Sequence, residues 1–482
     1  MNLIFSGHPF QYEMENLVRI FLPGVKISAS GDDADTIFTR VAKGRTRTTL
    51  YVRIRLRDKY THRHTSLANT TPDYESTCER LLSICLYRAL AELTEQRPKW
   101  GILTGIRPVK LLRSLSAGRT TEELAALMTR DYLVTEEKLS LAADILHTQE
   151  RLLTMPNRSF SLYVSIPFCP TRCSYCSFVA HSLESAKRLI PAYVEKLCEE
   201  LAAIGKYARE LSLTLDTVYF GGGTPTSLSA EELSAIMEAI ARSFDLSTLR
   251  EYTVEAGRPD TVTLERMQAL RAHGCTRISV NPQTMHDDIL RTIGRGHTAA
   301  QTVEAFRLAR GVGFDSINMD LIAGLPGDTP ERFADTLEQV LALSPDDVTV
   351  HTLTRKRSSD LYAEDVPEDA GVAQMVDHAA VRLREAGFLP YYLYRQKNTV
   401  GNLENVGYAR PGKEGLYNVL IMEEVQTILA AGAAGSTKLV QNGRIERIFN
   451  HKFPYEYLSR FDEILSRKER IRTFFTQPEE TR

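Results

Sequence analysis

The sequence predicts an α/β fold with parallel strands, because its middle part repeats a short apolar strand, a polar or glycine-rich loop and a helix. Six such strands are predicted, at residues 162–166, 217–220, 252–255, 277–280, 316–322 and 348–353. Helices are predicted between them, at residues 187–211, 230–243, 264–273, 299–310 and 330–343. The chemically unusual side chains follow the strands, where α/β folds build their sites.

Residues 1–155 are predicted to form a separate α+β domain. Its predicted strands are residues 1–5, 34–41 and 45–58, and its predicted helices are residues 12–21, 76–96, 121–128 and 135–154. Residues 100–110 (WGILTGIRPVK) are expected to form a loop that holds the only tryptophan. Arg107 and Lys110 in this loop could meet an acidic substrate. The alternative is a domain-packing loop with Trp100 buried.

The composition is that of an ordinary globular protein: 482 residues, 43% hydrophobic, 25% charged and a net charge of −2. This balance gives no electrostatic case for nucleic acid or an anionic membrane. No apolar run approaches the roughly 18 residues of a membrane span, and a secretory signal is not evident. Seven cysteines in such a long chain do not indicate a disulfide framework. A reducing, cytoplasmic location is therefore expected, with Cys78, Cys85, Cys198 and Cys275 as core residues.

Cys169, Cys173 and Cys176 have the spacing C-x3-C-x2-C in the loop after the first strand of the repeat. Three thiolates can hold a metal cluster, whereas structural zinc sites and electron-transfer [4Fe–4S] clusters take four protein ligands. A cluster with three cysteines leaves one iron open for a small molecule. Two alternatives remain: a zinc half-site completed by a remote ligand such as His181, and three buried core thiols.

Polar or glycine-rich loops follow the later strands. Residues 221–225 (GGGTP) follow the second strand, and successive glycines let backbone N–H groups approach a ligand, although a tight turn has the same composition. Polar residues at the following strand ends are Glu255, Ser279, Gln283, Arg295 and Asp320. A buried carboxylate such as Asp320 needs a partner or ligand. Each residue alone is compatible with a structural hydrogen bond, but their shared position indicates a site.

This combination resembles the radical S-adenosylmethionine (SAM) superfamily and, within it, the oxygen-independent coproporphyrinogen III oxidases (dehydrogenases). The resemblance rests on Tyr163, the three cysteines with Tyr175, the run 221–226, Glu255, the pattern R-x-S-x-x-x-Q at 277–283, Arg295, and N-x-D-L-I-x-G-L-P at 318–326. The segment 100–108 and the aromatic, basic run 391–397 make the chain most similar to the HemZ type. The heme-chaperone relatives carry a His-Asn pair where this chain has Tyr417-Asn418.

The resemblance implies a partial (β/α)6 TIM-type radical SAM barrel at residues 156–385. It also implies that residues 1–155 are an N-terminal α+β domain of unknown role. Residues 386–482 would then be a C-terminal extension that covers the substrate.

The resemblance further implies that the three cysteines hold a [4Fe–4S] cluster, with one SAM on its open iron near Tyr163, Gly222 and Glu255. A second SAM is implied near the following residues: Tyr175, Gly223, Thr224, Gln283, Arg295, Asp320 and Thr354. The chain departs from the family pattern at Phe178, where the best-known relative has a fourth cysteine. It departs again at Asn281 and Pro282, where a glycine is usual.

In the implied reaction, an electron from the cluster cleaves SAM, and the resulting 5′-deoxyadenosyl radical attacks the propionates of coproporphyrinogen III, which become vinyl groups. The implied partners are a tetrapyrrole substrate and a low-potential electron donor such as flavodoxin or ferredoxin. Arg357, Arg395 and Lys397 are candidates for holding propionates, with ordinary surface cations as the alternative. Three other functions stay open: a heme-binding carrier on this scaffold, a radical SAM enzyme acting on another tetrapyrrole, and a zinc-binding structural protein.

Overall fold

The computed structural model describes residues 1–28, 34–105, 107–154, 156, 158–178, 181–354, 359, 361, 371–397 and 399–476. The chain divides into two compact units. The first unit is Met1–Leu146 with Arg395–Asn402, and the second is His147–Tyr394 with Leu403–Arg482. Among the helices of the described residues, none is both long and apolar enough to cross a membrane.

The first unit contains a four-stranded sheet with two helices packed on one face. Its strands, in sheet order, are β1 (Asn2–Ser6), β2 (Thr36–Lys43), β3 (Arg47–Leu56) and β4 (Lys59–Ala68). The first pair is parallel and the other two pairs are antiparallel. Its helices are α1 (Gln11–Phe21), α2 (Tyr74–Thr94), α3 (Pro108–Ser116), α4 (Thr121–Asp131) and α5 (Glu136–Leu152), the last of which runs into the second unit. Apolar side chains of α1, α2 and the sheet share one core.

The three strands and four helices predicted for this region are confirmed, but β4 and α3 were missed. Only two side chains of β4, Thr61 and Leu67, are buried, so the strand has no apolar alternation to detect. It forms because it pairs along its whole length with β3. The helix α3 begins at Pro108, which the sequence analysis took as part of a loop.

The second unit contains an eleven-stranded sheet and a separate two-stranded one. Its strands are β5 (Ser159–Ile166), β6 (Phe168–Cys169), β7 (His181–Ser182), β8 (Thr214–Gly222), β9 (Glu251–Glu255), β10 (Arg277–Ser279), β11 (Ser316–Ala323), β12 (Asp347–Thr352), β13 (Leu389–Arg395), β14 (Glu404–Ala409), β15 (Thr427–Ala431), β16 (Ser436–Gln441) and β17 (Arg444–Phe449). The six predicted strands are confirmed as β5, β8, β9, β10, β11 and β12, which are neighbours in that order and all parallel.

Helices connect these strands. They are α6 (Leu183–Ala186), α7 (Ile190–Glu210), α8 (Ala230–Ser243), α9 (Leu264–Ala272), α10 (Asp287–Thr292), α11 (Ala299–Val312), α12 (Pro330–Ala342), α13 (Val372–Glu385), α14 (Leu416–Glu423), α15 (Pro454–Ser459) and α16 (Phe461–Thr476). Four of them follow a Ser or Thr whose side-chain oxygen accepts a hydrogen bond from a backbone N–H in the first turn of the helix. These residues are Ser229, Thr263, Thr298 and Thr329. These N-caps satisfy otherwise unpaired donors and fix where each helix begins.

The C-terminal residues supply β13 to β17 of the same sheet. β15 lies parallel to β5 on one side of the six-strand run, and β14 lies antiparallel to β12 on the other. β15 is buried at every residue, which explains its run of apolar side chains. The six-strand core therefore continues at both edges into strands from the end of the chain.

A buried ion pair anchors this C-terminal part. Lys468 of α16 and Glu200 of α7 are 3.1 Å apart, and both side chains are fully buried. Glu200 also accepts hydrogen bonds from the Gly432 N–H and the Tyr457 hydroxyl, each at 2.8 Å. Lys468 donates to the Ala430 carbonyl at 2.6 Å. The pair therefore ties two helices to β15 and to the loop that follows it.

We predict that Lys468→Met lowers the free energy of unfolding by about 3–5 kcal/mol, because it leaves the buried Glu200 carboxylate without its cation. Urea unfolding followed by circular dichroism measures this change. Arg470→Met is the matched control, since that side chain is 59% exposed and lies on the same helix. An equal loss in both variants would show that the buried pair has no special part in stability.

Candidate functional site

The three cysteines lie in the segment that follows β5. Cys173 is buried, whereas Cys169 and Cys176 are half-buried. The Cys176 N–H donates to the Cys173 carbonyl at 3.0 Å, so a turn brings these two residues together. Within the described part of the chain, no group of three or more His, Cys, Asp or Glu side chains is arranged around one metal position.

The glycine loop after β8 packs directly on this segment. The Gly223 N–H donates to the Ile166 carbonyl at 2.7 Å, and the Thr224 N–H donates to the Phe168 carbonyl at 2.8 Å. A Cβ at Gly223 would lie 2.6 Å from the Phe168 oxygen, so only glycine fits there. These two N–H groups are bonded to main-chain oxygens at the end of β5 and in the cysteine segment.

Thr224 also contacts the first cysteine. Its hydroxyl donates to Cys169 Sγ at 3.4 Å. Burial raises the pKa of the Cys169 thiol to about 11, and the hydrogen bond from Thr224 only partly opposes this. The free thiol is therefore protonated at neutral pH, and a bound metal would displace its proton.

A second loop holds the cysteine segment from the other side. The Ser174 N–H donates to the Ile293 carbonyl at 3.1 Å, and the Thr171 hydroxyl donates to the Gly294 carbonyl at 3.2 Å. Both acceptors precede α11. The segment is thus fixed by two loops that belong to different strand-and-helix units.

Arg258 was not predicted from the sequence to be a site residue. Its side chain is 3% exposed, and it forms two hydrogen bonds with Asp260, at 3.0 and 3.1 Å. It also donates to Thr171 Oγ1 at 3.0 Å and lies 3.7 Å from Cys173 Sγ. Hydrogen bonds to ligand sulfur atoms tune the potential of a cluster. Its position three residues after Glu255, at the same strand end, was the signal that could have found it.

Tyr175, which lies between the last two cysteines, is half-buried. Burial raises the pKa of its phenol, and the positive charge of Arg295 opposes that rise. The nearby Cys173 thiol raises the pKa of Tyr175 further. Tyr175 therefore lies near enough to both Cys173 and Arg295 to respond to their charges.

Three tyrosines and one carboxylate line the interior beside β5. The ring of Tyr219 stacks at 6.2 Å from Tyr163 and at 4.4 Å from Tyr417. The Tyr219 hydroxyl donates to Glu255 Oε1 at 2.6 Å. Burial raises the pKa of Glu255 to about 7 despite this hydrogen bond, and the charge of Asp320 raises it further. Glu255 therefore changes charge near neutral pH.

Asp320 lies in a different environment. Its two oxygens accept hydrogen bonds from the side-chain amides of Asn281 and Asn318, both at 2.7 Å. His351 Nε2 lies 3.6 Å from Oδ2. Burial alone would raise the pKa of Asp320, but interactions with His351, Asn318 and Thr349 together lower it. Asp320 is therefore charged, and Asn281, the departure from the family pattern, is one of its partners.

Gln283 and Arg295 have buried polar atoms that fit a ligand. Gln283 has a φ of +66°, and its N–H donates to the Asp320 carbonyl at 2.9 Å. Arg295 donates to the carbonyls of Asn281 and Gly257, at 2.9 and 2.5 Å. Gln283 Oε1 and Arg295 Nε are buried and have no hydrogen-bond partner among the described residues. Such atoms are rare unless a ligand, ion or water satisfies them.

The remaining predicted residues have the following positions. Gly222 has a φ of +106°, and a Cβ there would lie 3.0 Å from Ser165 Oγ. Thr354 lies just after β12, and its hydroxyl donates to the Thr352 carbonyl at 3.3 Å. Phe178 is 66% exposed. Ser279 lies at the end of β10 with its hydroxyl oxygen buried.

The cations predicted to hold propionates are engaged elsewhere or lie outside the described residues. Arg395 is buried, stacks on Trp100 at 5.6 Å and donates to the Leu103 carbonyl at 2.5 Å. Lys397 lies over the Tyr12 ring, 4.2 Å from its centroid. These contacts are all inside the first unit, so neither cation is a free carboxylate ligand there. Arg357 lies outside the described residues.

The raised pKa of Glu255 predicts a pH-dependent stability. The pKa is about 7 in the folded chain and about 4.3 in an unfolded one. Stability from the neutral carboxyl is therefore full below about pH 4 and is lost as the pH rises through 7. Glu255→Gln removes this dependence, so the wild-type free energy of unfolding should fall relative to the variant between about pH 5 and 8. Parallel pH profiles in metal-free protein would contradict the assignment.

Comparisons with known proteins identify the family. The model of the Radical SAM superfamily matches residues 163–340. The chain is 43% identical over 383 residues to the oxygen-independent coproporphyrinogen-III oxidase-like protein HemZ of Bacillus subtilis (strain 168), covering 77% of this chain and 76% of that protein. It is 30% identical over 310 residues to the heme chaperone HemW of the same strain, covering 61% of this chain and 77% of that one.

The solved structure of coproporphyrinogen III oxidase (HemN) from Escherichia coli, described as a radical SAM enzyme, matches with a TM-score of 0.52 at 24% identity. The match covers 66% of this chain and 72% of that one, and it shows that the fold is shared. The superfamily uses a [4Fe–4S] cluster and SAM. The resemblance is thus confirmed, and the chain belongs to the radical SAM superfamily, in the family of oxygen-independent coproporphyrinogen III oxidase-like proteins of the HemZ type.

Proposed function

We propose that this chain is a radical SAM enzyme of heme biosynthesis that converts propionates of coproporphyrinogen III to vinyl groups, giving protoporphyrinogen IX. Each conversion releases CO2, transfers one hydrogen atom to the 5′-deoxyadenosyl group and passes one electron to an acceptor. What supports the proposal is the 43% identity to the oxygen-independent coproporphyrinogen-III oxidase-like protein HemZ of Bacillus subtilis. The resemblance also implies that Tyr417 stands where the heme-chaperone relatives have histidine. It is buried and stacks on Tyr219, so this position offers no imidazole for heme.

The cofactors have a clear set of residues to hold them. Cys169, Cys173 and Cys176 would hold the cluster, and its open iron would take the methionine end of SAM. When bound and reduced, the cluster supplies the electron that cleaves SAM. A second SAM, if present, would lie near Gln283 and Arg295, whose buried polar atoms need partners.

The side chains of the protein would bind and orient the ligands and would exclude water from the site. Glu255 can accept hydrogen bonds from a ribose or an amino group, and Tyr219 fixes one of its oxygens. Asp320 keeps its charge through three polar neighbours and can hold a cationic or hydroxyl-bearing ligand. The stacked rings of Tyr163, Tyr219 and Tyr417 would help to exclude water, and a site closed to water protects a reactive intermediate.

The proposed setting follows from the chemistry. A half-buried cysteine segment that carries an oxygen-sensitive cluster needs a reducing compartment, so we place the protein in the cytoplasm. A low-potential donor such as flavodoxin or ferredoxin would supply electrons.

Anaerobic reconstitution with iron and sulfide, followed by SAM, dithionite and coproporphyrinogen III, tests the proposal. We expect 5′-deoxyadenosine and vinyl product to form together, and Cys173→Ala to lose both along with the absorbance of the cluster. Formation of 5′-deoxyadenosine without vinyl product would contradict the proposed substrate but not the superfamily. A cluster that survives in Cys173→Ala would contradict the ligand assignment.

A heme carrier is the second candidate, because the chain is 30% identical to the heme chaperone HemW. Hemin titration followed at the Soret band separates the two functions. The enzyme proposal predicts no stable one-to-one complex after gel filtration. A stable complex in protein that does not convert coproporphyrinogen III would favour the carrier.

Gly223→Ala tests how the cysteine segment is positioned. We predict that the variant retains less than about half of the iron bound by wild type, because a Cβ would collide with the Phe168 and Ile166 carbonyls, 2.6 and 2.9 Å away. Gly311→Ala is the matched control, since nothing lies within 4 Å of a Cβ there. Iron and sulfide content per chain after reconstitution is the measurement. Equal loading of Gly223→Ala and wild type would show that this contact does not position the segment.

A further inference from the structure

The sheet of the first unit has one covered face and one open face. Side chains that alternate along β2, β3 and β4 pack on the two helices, for example Ile37, Val52 and Thr61. The opposite side chains form what we call the open face, which consists of Phe38, Arg40, Tyr51, Arg53, Arg55, Tyr60, His62 and His64. Strand register places them side by side: Arg53 opposite both Phe38 and His62, and Tyr51 opposite both Arg40 and His64.

This face is strongly basic although the chain is not. The open face carries Arg40, Arg53 and Arg55 and no carboxylate. Residues 45–65, which supply two of these arginines, have a net charge of +6, although Arg63 of this segment lies on the covered face and pairs with Glu92, and the whole chain has −2. Arg40, Arg53 and Arg55 are exposed, and none of them forms an ion pair with a carboxylate of the described residues. The net charge of the whole chain therefore does not reveal this local excess of positive charge.

Aromatic rings alternate with these cations across three strands. Phe38 and Tyr51 have centroids 6.3 Å apart, Tyr51 and His62 are 6.2 Å apart, and His62 and Tyr60 are 6.0 Å apart. The Arg53 guanidinium lies 5.5 Å from the Phe38 centroid, and Tyr60 is 58% exposed. Successive ring planes differ by 60°, 33° and 41°, so the four rings share no plane.

We propose that the open face binds single-stranded nucleic acid. Sheets that bind single strands stack separate bases on aromatic rings and contact the phosphates with Lys and Arg. The row of tilted rings suits bases that rotate independently along a flexible strand, whereas a flat macrocycle could stack on only one of them. The cations beside the rings complement a linear polyanion. This site is independent of the cluster and of the proposed reaction.

Fluorescence anisotropy of a labelled oligouridine of roughly 12 nucleotides, titrated with the full chain, tests the proposal. We expect saturable binding that weakens with salt, and duplex RNA of similar length should bind less well. Tyr60→Ala should weaken binding roughly tenfold through the loss of one stacked base. Arg40→Gln and Arg53→Gln should each reduce the salt slope by about 0.7, the value for one phosphate contact on a single strand.

Matched controls distinguish binding at the open face from binding to an exposed ring or cation elsewhere on the chain. Tyr12→Ala removes a ring that is 60% exposed on α1 of the same unit, and Arg307→Gln removes an exposed cation on α11. Both should leave affinity within about twofold of wild type. Absence of saturable binding, equal losses in the controls, or duplex RNA that binds as well as the single strand would overturn the proposal. Binding of coproporphyrin III, but not oligouridine, at Tyr60 would also overturn it and would make the face a tetrapyrrole site.

Discussion

Two main-chain hydrogen bonds, from Gly223 to Ile166 and from Thr224 to Phe168, hold the glycine loop against the segment that carries the cysteines. The cysteine segment has almost no regular structure of its own, so its position depends on such contacts. The loops that follow neighbouring parallel strands lie at the same edge of a sheet. Loops after different strands can therefore contact the cysteine segment together. The absence of a side chain at Gly223 is what permits this approach. A second pair of hydrogen bonds, from Ser174 to Ile293 and from Thr171 to Gly294, holds the same segment.

The two carboxylates of the site show how burial and neighbours set charge. Asp320 is surrounded by amide and imidazole donors, and they lower its pKa although burial opposes them. Glu255 has a single donor, Tyr219, and burial raises its pKa to about 7. Their environments therefore push the two pKa values apart, as in other sites where paired acids have distinct tasks. The site carries one carboxylate charge below about pH 7 and two above it, which matters for a sulfonium ligand.

Local patterns predicted the six parallel strands, most of the connecting helices and the residues at the strand ends, because apolar runs and Ser or Thr caps are short-range signals. Features that depend on distant pairing were missed. β15 joins β5 across more than half of the chain, and the tyrosine stack joins rings from β5, β8 and α14. Arg258 was missed because its place three residues after Glu255 marks the strand end but does not show that its side chain reaches Cys173. The basic open face was missed because net charge was taken over the whole chain.

The central claim is that three cysteines leave one iron open for SAM. Electron–nuclear double resonance of the reduced, reconstituted protein with ¹⁵N-amino-labelled SAM measures this directly. The account predicts a ¹⁵N coupling to the cluster that vanishes with unlabelled SAM. A cluster spectrum unchanged by SAM, with a fourth protein ligand on the last iron, would contradict it.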